Sequence, residues 1–188
     1  MANGAASLSE CPSNTDRNLA DADDVVWPGC RDASIARFGD KTSTMGYLLG
    51  PGQGTRYSVR GSIITFKALG DETAGVFSLL EREMPPGVRM TPAHRHNGPE
   101  AFYVLEGELE FHIGDDTVHG TAGAFVLVPP RVAHTFGNTS GQPARLLTVH
   151  APAADEYFAD MHDLWSSPET PTVEQEREVQ RRHGLEPA

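Results

Sequence analysis

Between residues 60 and 150 the chain runs in short stretches of apolar and polar residues, each stopped by glycine, proline or aspartate. That punctuation predicts a series of half-buried strands. Residues 62–68 read as one strand, ended by Leu69-Gly70-Asp71, and residues 76–84 as the next, ended by Pro85-Pro86-Gly87. Residues 101–105 and 108–113 flank Glu106-Gly107, which predicts a short hairpin, and Gly114-Asp115-Asp116 turns the chain again. Residues 124–128 stop at Pro129-Pro130, residues 134–138 follow, and residues 144–150 close the series before Pro152. With no strand–helix–strand alternation the sheet should be antiparallel, and the short connections by themselves predict a meander. Within residues 108–113, Leu109, Phe111 and Ile113 share one face, which leaves His112 on the solvent side.

After Pro152 the period lengthens. Tyr157, Phe158, Met161, Leu164 and Trp165 fall at helical spacing and predict a helix with one apolar face against the sheet. Thr172 with Gln175 three residues later forms a capping-box pattern, and Gly184 after Arg181-Arg182-His183 forms a C-terminal stop. A second helix over residues 173–183 follows, its run of charges read as a solvated face. Residues 26–58 mix Trp27, Ile35, Phe38 and Tyr47 with glycine and proline and read as an arm or edge strand covering the main fold. Residues 1–25, with Asp21, Asp23 and Asp24 and no periodicity, read as a mobile tail. The predicted organisation is therefore tail 1–25, arm 26–58, β-barrel 59–152 and helical segment 153–188.

Composition supports short elements, since 19 glycines and 14 prolines accompany only 7 % aromatic residues in 188 positions. The formal charge of −11 argues against a nucleic-acid partner, because a polyanion would be repelled. Apolar runs such as residues 124–128 fall far short of the roughly 18 residues of a membrane span. The N-terminal residues lack the anatomy of a signal peptide, and Cys11 and Cys30 show neither CxxC spacing nor a disulfide framework. A reducing cytoplasm is the expected setting.

Six of the eight histidines lie between residues 60 and 150. His94 and His96 are two apart, so in an extended chain both imidazoles point into one space. Glu100 follows four residues later, then Gly107, Gly123, Pro129, His134 and Asn138. This series resembles the two motifs of the cupin superfamily, G(x)5HxH(x)3-4E(x)6G and G(x)5PxG(x)2H(x)3N. Gly87, His94, His96, Glu100 and Gly107 fall on the first, and Gly123, Pro129, His134 and Asn138 on the second. Two departures stand out. Six residues separate Gly87 from His94, so either the start of the motif is lengthened or Gly87 is not its glycine. Arg131 occupies the usual glycine of the second motif, a position that often needs positive φ, so the turn before His134 is expected to differ. The text Pro92-Ala93-His94-Arg95-His96, the run from Glu100 to Phe111 and the closing Arg182-His183-Gly184-Leu185-Glu186 are similar to single-domain, quercetinase-like bacterial cupins.

The resemblance spans roughly residues 60–188 and implies an all-β, double-stranded β-helix (jelly-roll) barrel with C-terminal helices. It implies one divalent transition metal on His94, His96, Glu100 and His134. Imidazole with a single carboxylate suits Fe, Mn, Ni, Co, Cu or Zn over Mg or Ca. Three neutral histidines and one carboxylate leave a divalent ion a net charge of about +1, which favours an anionic substrate. Glu100 is implied as the base that deprotonates the substrate hydroxyl. The implied activity is a dioxygenase acting with dioxygen on an enol or phenol small molecule. The alternatives are a non-oxidative isomerase, cyclase or lyase, and a non-catalytic ligand-binding cupin. Phe102 and Val104 share strand parity with Glu100, and Phe136 with His134, so these three are expected to line the cavity. His119, His162 and His183 have no predicted role, and His150 ends an alternating strand from which it could reach the cavity, a surface position being preferred. A homodimer is expected, formed through the arm or an outer sheet.

Overall fold

In the computed structural model the described residues are 36–38, 46–88 and 90–188. The tail predicted over residues 1–25 and much of the predicted arm lie outside them. The chain divides into two units, residues 1–51 and 52–188. In the first, β1 (Ala36–Phe38) and β2 (Gly46–Leu48) pair antiparallel with Arg37 opposite Tyr47.

The second unit holds the remaining elements. In chain order they are β3 (Thr55–Val59), β4 (Ser62–Ala68), β5 (Ser78–Met84), β6 (His94–Arg95), β7 (Glu100–Glu106) and β8 (Glu108–Ile113). Then come β9 (Asp116–Thr121), β10 (Phe125–Val128), β11 (His134–Gly137), β12 (Ala144–His150), α1 (Asp155–Trp165), α2 (Val173–Arg182) and β13 (Glu186–Pro187). Two antiparallel sheets result, a six-stranded one in the order β10-β7-β12-β5-β4-β3 and a five-stranded one in the order β13-β6-β11-β8-β9. The architecture is the all-β jelly roll with C-terminal helices.

The meander holds for β3, β4 and β5 and for the β8-β9 hairpin, and elsewhere crossings between sheets replace it. Glu106-Gly107 does not close a hairpin, because β7 and β8 belong to opposite sheets. Gly107 has φ +75°, and a Cβ there would sit 2.5 Å from the Pro143 carbonyl oxygen, so only glycine lets the chain turn out of the first sheet so close to its neighbour. The gain is burial on both sides. Phe102 of β7 meets Phe111 of β8 and Phe136 of β11 at ring distances of 5.4 and 4.8 Å, an aromatic cluster that joins the two sheets. Around it Met84, Val104, Leu109, Val128, Ala144 and Leu146 complete one apolar core.

A second core forms where the helices cover the other end of the six-stranded sheet. Val59, Ile64, Phe66 and Leu80 pack against Tyr157, Phe158 and Met161 of α1 and Val179 of α2. Thr172 and Gln175 make the reciprocal capping box, and α2 ends at Gly184, φ +73°, with the Leu185 amide donating to the Gln180 carbonyl. The solvated-face reading of α2 needs one correction. Glu176 is 0 % exposed and accepts from Arg60, Nε to Oε1 at 3.2 Å and Nη2 to Oε2 at 3.2 Å. Among the described residues, no helix is long and apolar enough to cross a membrane.

Candidate metal centre

The two sheets deliver the site from opposite sides. His94 on β6 and His134 on β11 are cross-strand partners in the five-stranded sheet, and His96 follows two residues after His94. Glu100 opens β7 in the facing sheet. One ligand atom from each of the four lies within 4.8 Å of the others. The imidazole rings stand 4.5 Å apart for His94 and His134, 4.9 Å for His96 and His134, and 5.8 Å for His94 and His96.

Each ring is fixed in the same way. The Nδ1 atoms of His94, His96 and His134 lie 3.0, 2.8 and 2.9 Å from the carbonyl oxygens of Pro92, Gly98 and Val132, each two residues from its histidine. A carbonyl can only accept, so each Nδ1 carries a proton and donates it, and each ring turns its Nε2 toward the others. Gly98 makes the His96 contact feasible, because a Cβ there would fall 1.8 Å from the Ala151 carbonyl oxygen.

This tautomer creates a conflict that a cation resolves. Oε2 of Glu100 is 3.1 Å from His96 Nε2 and 3.0 Å from His134 Nε2, so acceptor faces acceptor unless a proton or a metal ion stands between them. Burial, then the neighbouring His134, push His94 down to about 4, so it is neutral at physiological pH. Burial also works against charge on His96, but its hydrogen bond to Glu100 and the carboxylate's attraction outweigh it and raise its pKa. Burial would raise the Glu100 carboxyl, yet His150, His134 and His96 hold it well below the usual carboxylate range. Three converging imidazole Nε2 atoms, able to release a proton to a cation, and an ionised carboxylate form a donor set that fits a divalent transition metal.

The structure adds residues that the sequence reading passed over. His150, read as a surface residue, pairs across strands with Glu100 and sets its Nε2 2.9 Å from Oε1. It therefore holds the carboxylate oxygen that faces away from His96 and His134. The only local signal was its parity with Leu146 and Thr148, which becomes informative once β12 is known to pair with β7. A cavity of about 230 Å³ adjoins the site, lined among others by His94, His96, Glu100, His150, Phe136 and Arg82. Phe136 thus stands on the cavity wall. Phe102 and Val104 are not among the lining residues; they lie beneath the wall, in the packed core. Parity alone put them on the correct face of β7, but Phe136 and Phe111 cover that face.

Asn138 acts at one remove. It is fully buried, donates to the carbonyls of Met84, Pro85 and Gln142 and accepts from Ser140, which ties the end of β5 to the loop after β11. Arg131 adopts φ +66°, the left-handed conformation expected of a glycine position. Its amide donates to the His96 carbonyl at 2.7 Å, and its guanidinium to Asn97 Oδ1 at 2.8 Å.

The fold and the site together define a jelly-roll barrel with a His/His/Glu/His metal-type cluster. Residues 80–150 match the Cupin_2 family, described as a cupin domain. The chain is 33 % identical over 67 residues to the HTH-type transcriptional regulator PuuR of Escherichia coli, covering 36 % of each chain. It is 26 % identical over 119 residues to quercetin 2,3-dioxygenase of Bacillus subtilis, covering 61 % of this chain and 35 % of that one. The chain thus spans about a third of the length of these curated relatives. An RmlC-like cupin from Shewanella frigidimarina superposes with a TM-score of 0.51 at 19 % identity, over 58 % of this chain and 94 % of that one, a likeness of fold.

Proposed function

We propose that the protein is a metal-dependent cupin oxidoreductase, a quercetinase-like dioxygenase acting on an enol or phenol small molecule. The observation that carries this is the set of three Nδ1-anchored histidines whose Nε2 atoms converge with Glu100 beside a partly aromatic cavity. The similarity to quercetin 2,3-dioxygenase supports the choice of reaction. His94, His96, Glu100 and His134 would hold the ion, which would supply Lewis acidity and a site for electron exchange with dioxygen. Glu100 is the proposed acceptor of the substrate's hydroxyl proton. Its carboxyl is held well below the ordinary range, so it is a weak base and favours an acidic hydroxyl, which an enol or a polyphenol supplies.

The test is oxygen uptake by protein reconstituted separately with Fe, Mn, Ni, Co, Cu and Zn and offered a panel of enols and polyphenols. Uptake should occur with at least one metal and vanish in the His94→Ala, His134→Ala double variant along with metal content. Turnover that proceeds equally without dioxygen would replace the oxidative reading with a Lewis-acid one. The match to a transcriptional regulator favours a second reading, a cupin that binds its ligand without turnover. Saturable binding with no product from any metal form would select it.

A further inference from the structure

We propose that the ligand of this cavity is an organic carboxylate, and that its carboxylate group is held by Arg82. Arg82 lies on the inward face of β5 with Ser78, Leu80 and Met84, directly across from Ile64 of β4 and Leu146 of β12. It is 4 % exposed, and it falls at the junction of the two apolar cores, since Leu80 belongs to one and Met84 to the other. Its guanidinium has no carboxylate partner among the described residues, its Nε is unpartnered, and its neighbour of note is the Phe136 ring, 5.2 Å from Cζ to centroid. The other arginine on the cavity, Arg60, is matched by Glu176.

A buried cation without an ion-pair partner is costly, so a fold retains one only where something else returns the cost. Burial, then repulsion from Arg60, lower the Arg82 pKa to about 10, which leaves it charged at neutral pH. Among the described residues Glu100 attracts it across the cavity but forms no ion pair with it, being engaged by His96, His134 and His150. The ligand must bring its own carboxylate.

Among the described residues three further buried atoms on the same cavity lack partners, Thr148 Oγ1, Tyr157 Oη and His150 Nδ1, and the first two are hydroxyls able to donate. One planar guanidinium with two hydroxyl donors suits the flat, acceptor-only carboxylate, which arginine engages with two parallel N–H···O bonds. A phosphate dianion would demand more positive charge than one unpaired arginine provides. The cavity of about 230 Å³ has room for a small organic acid. The inference rests on the proposed function in taking this cavity as the ligand site. It does not depend on whether dioxygen is consumed.

Calorimetric titration of the metal-reconstituted and the chelator-stripped protein with benzoate, benzamide and phenol tests it. Benzoate should bind both forms at least tenfold more tightly than benzamide. Arg82→Met should remove that preference while leaving phenol binding unchanged and the melting temperature equal to or above that of the parent. Equal affinity for benzoate and benzamide in the parent would overturn the proposal, as would benzoate binding that survives Arg82→Met in a folded protein. Benzoate binding lost on metal removal would also overturn it, by placing the carboxylate on the metal, and would leave the metal centre standing. Conversely, Arg82-dependent benzoate binding in a protein that takes up no metal would sink the proposed function and keep this inference. Should Arg82→Met fail to fold, the Thr148→Val, Tyr157→Phe double variant gives an independent reading. A severalfold loss of benzoate affinity supports the site, and unchanged affinity overturns it.

Discussion

Arg131 shows what a single residue adds to the site at the cost of local strain. A left-handed conformation costs a non-glycine residue about 1–2 kcal/mol, while its exposed ion pair with Glu186 at 3.3 Å returns about 0–1 kcal/mol. Arg131→Gly should therefore change urea stability by no more than about 1 kcal/mol, in the direction of gain, and should keep metal affinity, because the amide bonded to His96 persists. Asn138 is the opposite case. Removing an amide that satisfies three carbonyls in a buried loop, as in Asn138→Ala, should cost about 3 kcal/mol in the same assay. His94 sets a pH dependence in the metal-free protein. Its folded pKa is depressed to about 4 from 6.5, so between those values the unfolded chain binds a proton that the folded one refuses. Stability is thus lost as pH falls from about 6.5 to about 4, by about 3 kcal/mol from this residue. His96, with a raised pKa, acts above that window: its stabilisation is complete below about 6.5 and is lost as pH rises from there. Urea midpoints in chelator across that window should fall with acid in the parent and fall less in His94→Asn.

At the scale of elements, α2 is held to the barrel by charge as well as by Val179. Arg60 occupies the turn between β3 and β4 with φ +53° beside Gly61 at +79°, a pair of left-handed residues that suits a tight hairpin, and its side chain reaches Glu176. Glu176→Ala strands a buried guanidinium and should cost about 3–5 kcal/mol in denaturant unfolding. Glu178→Ala, which loses an exposed pair with Arg181, should cost no more than about 1 kcal/mol. The contrast shows where the sequence stops being legible. The helix itself was readable from Thr172, Gln175 and Gly184, because caps are local. Which of its glutamates is buried depends on a partner 116 residues away, and nothing near Glu176 marks it. Strand β9 escaped for a related reason: Asp116–Thr121 is mostly exposed and carries no apolar alternation. Strands β6 and β13 are two residues each, too short for any period.

For the whole molecule, the four candidate ligands were legible because the motif spacing around His94 and His134 is written in continuous text. His150 and Arg82 were not, because their meaning comes from β12 lying between β7 and β5, a neighbourhood that long connections create. A metal bound by the folded form alone adds about 2.7 kcal/mol of stability at a hundredfold excess over its dissociation constant. Thermal unfolding should therefore shift upward with the fitting metal and not with magnesium, and the shift should disappear in Glu100→Ala. The ligands come from both sheets, with Glu100 on one and the histidines on the other, so an ion there would rivet the barrel shut across its seam. Its escape rate would then act as a gauge of how often the sheets part. Trimming Phe111, which touches no ligand but helps pack the seam, should make the metal leave faster.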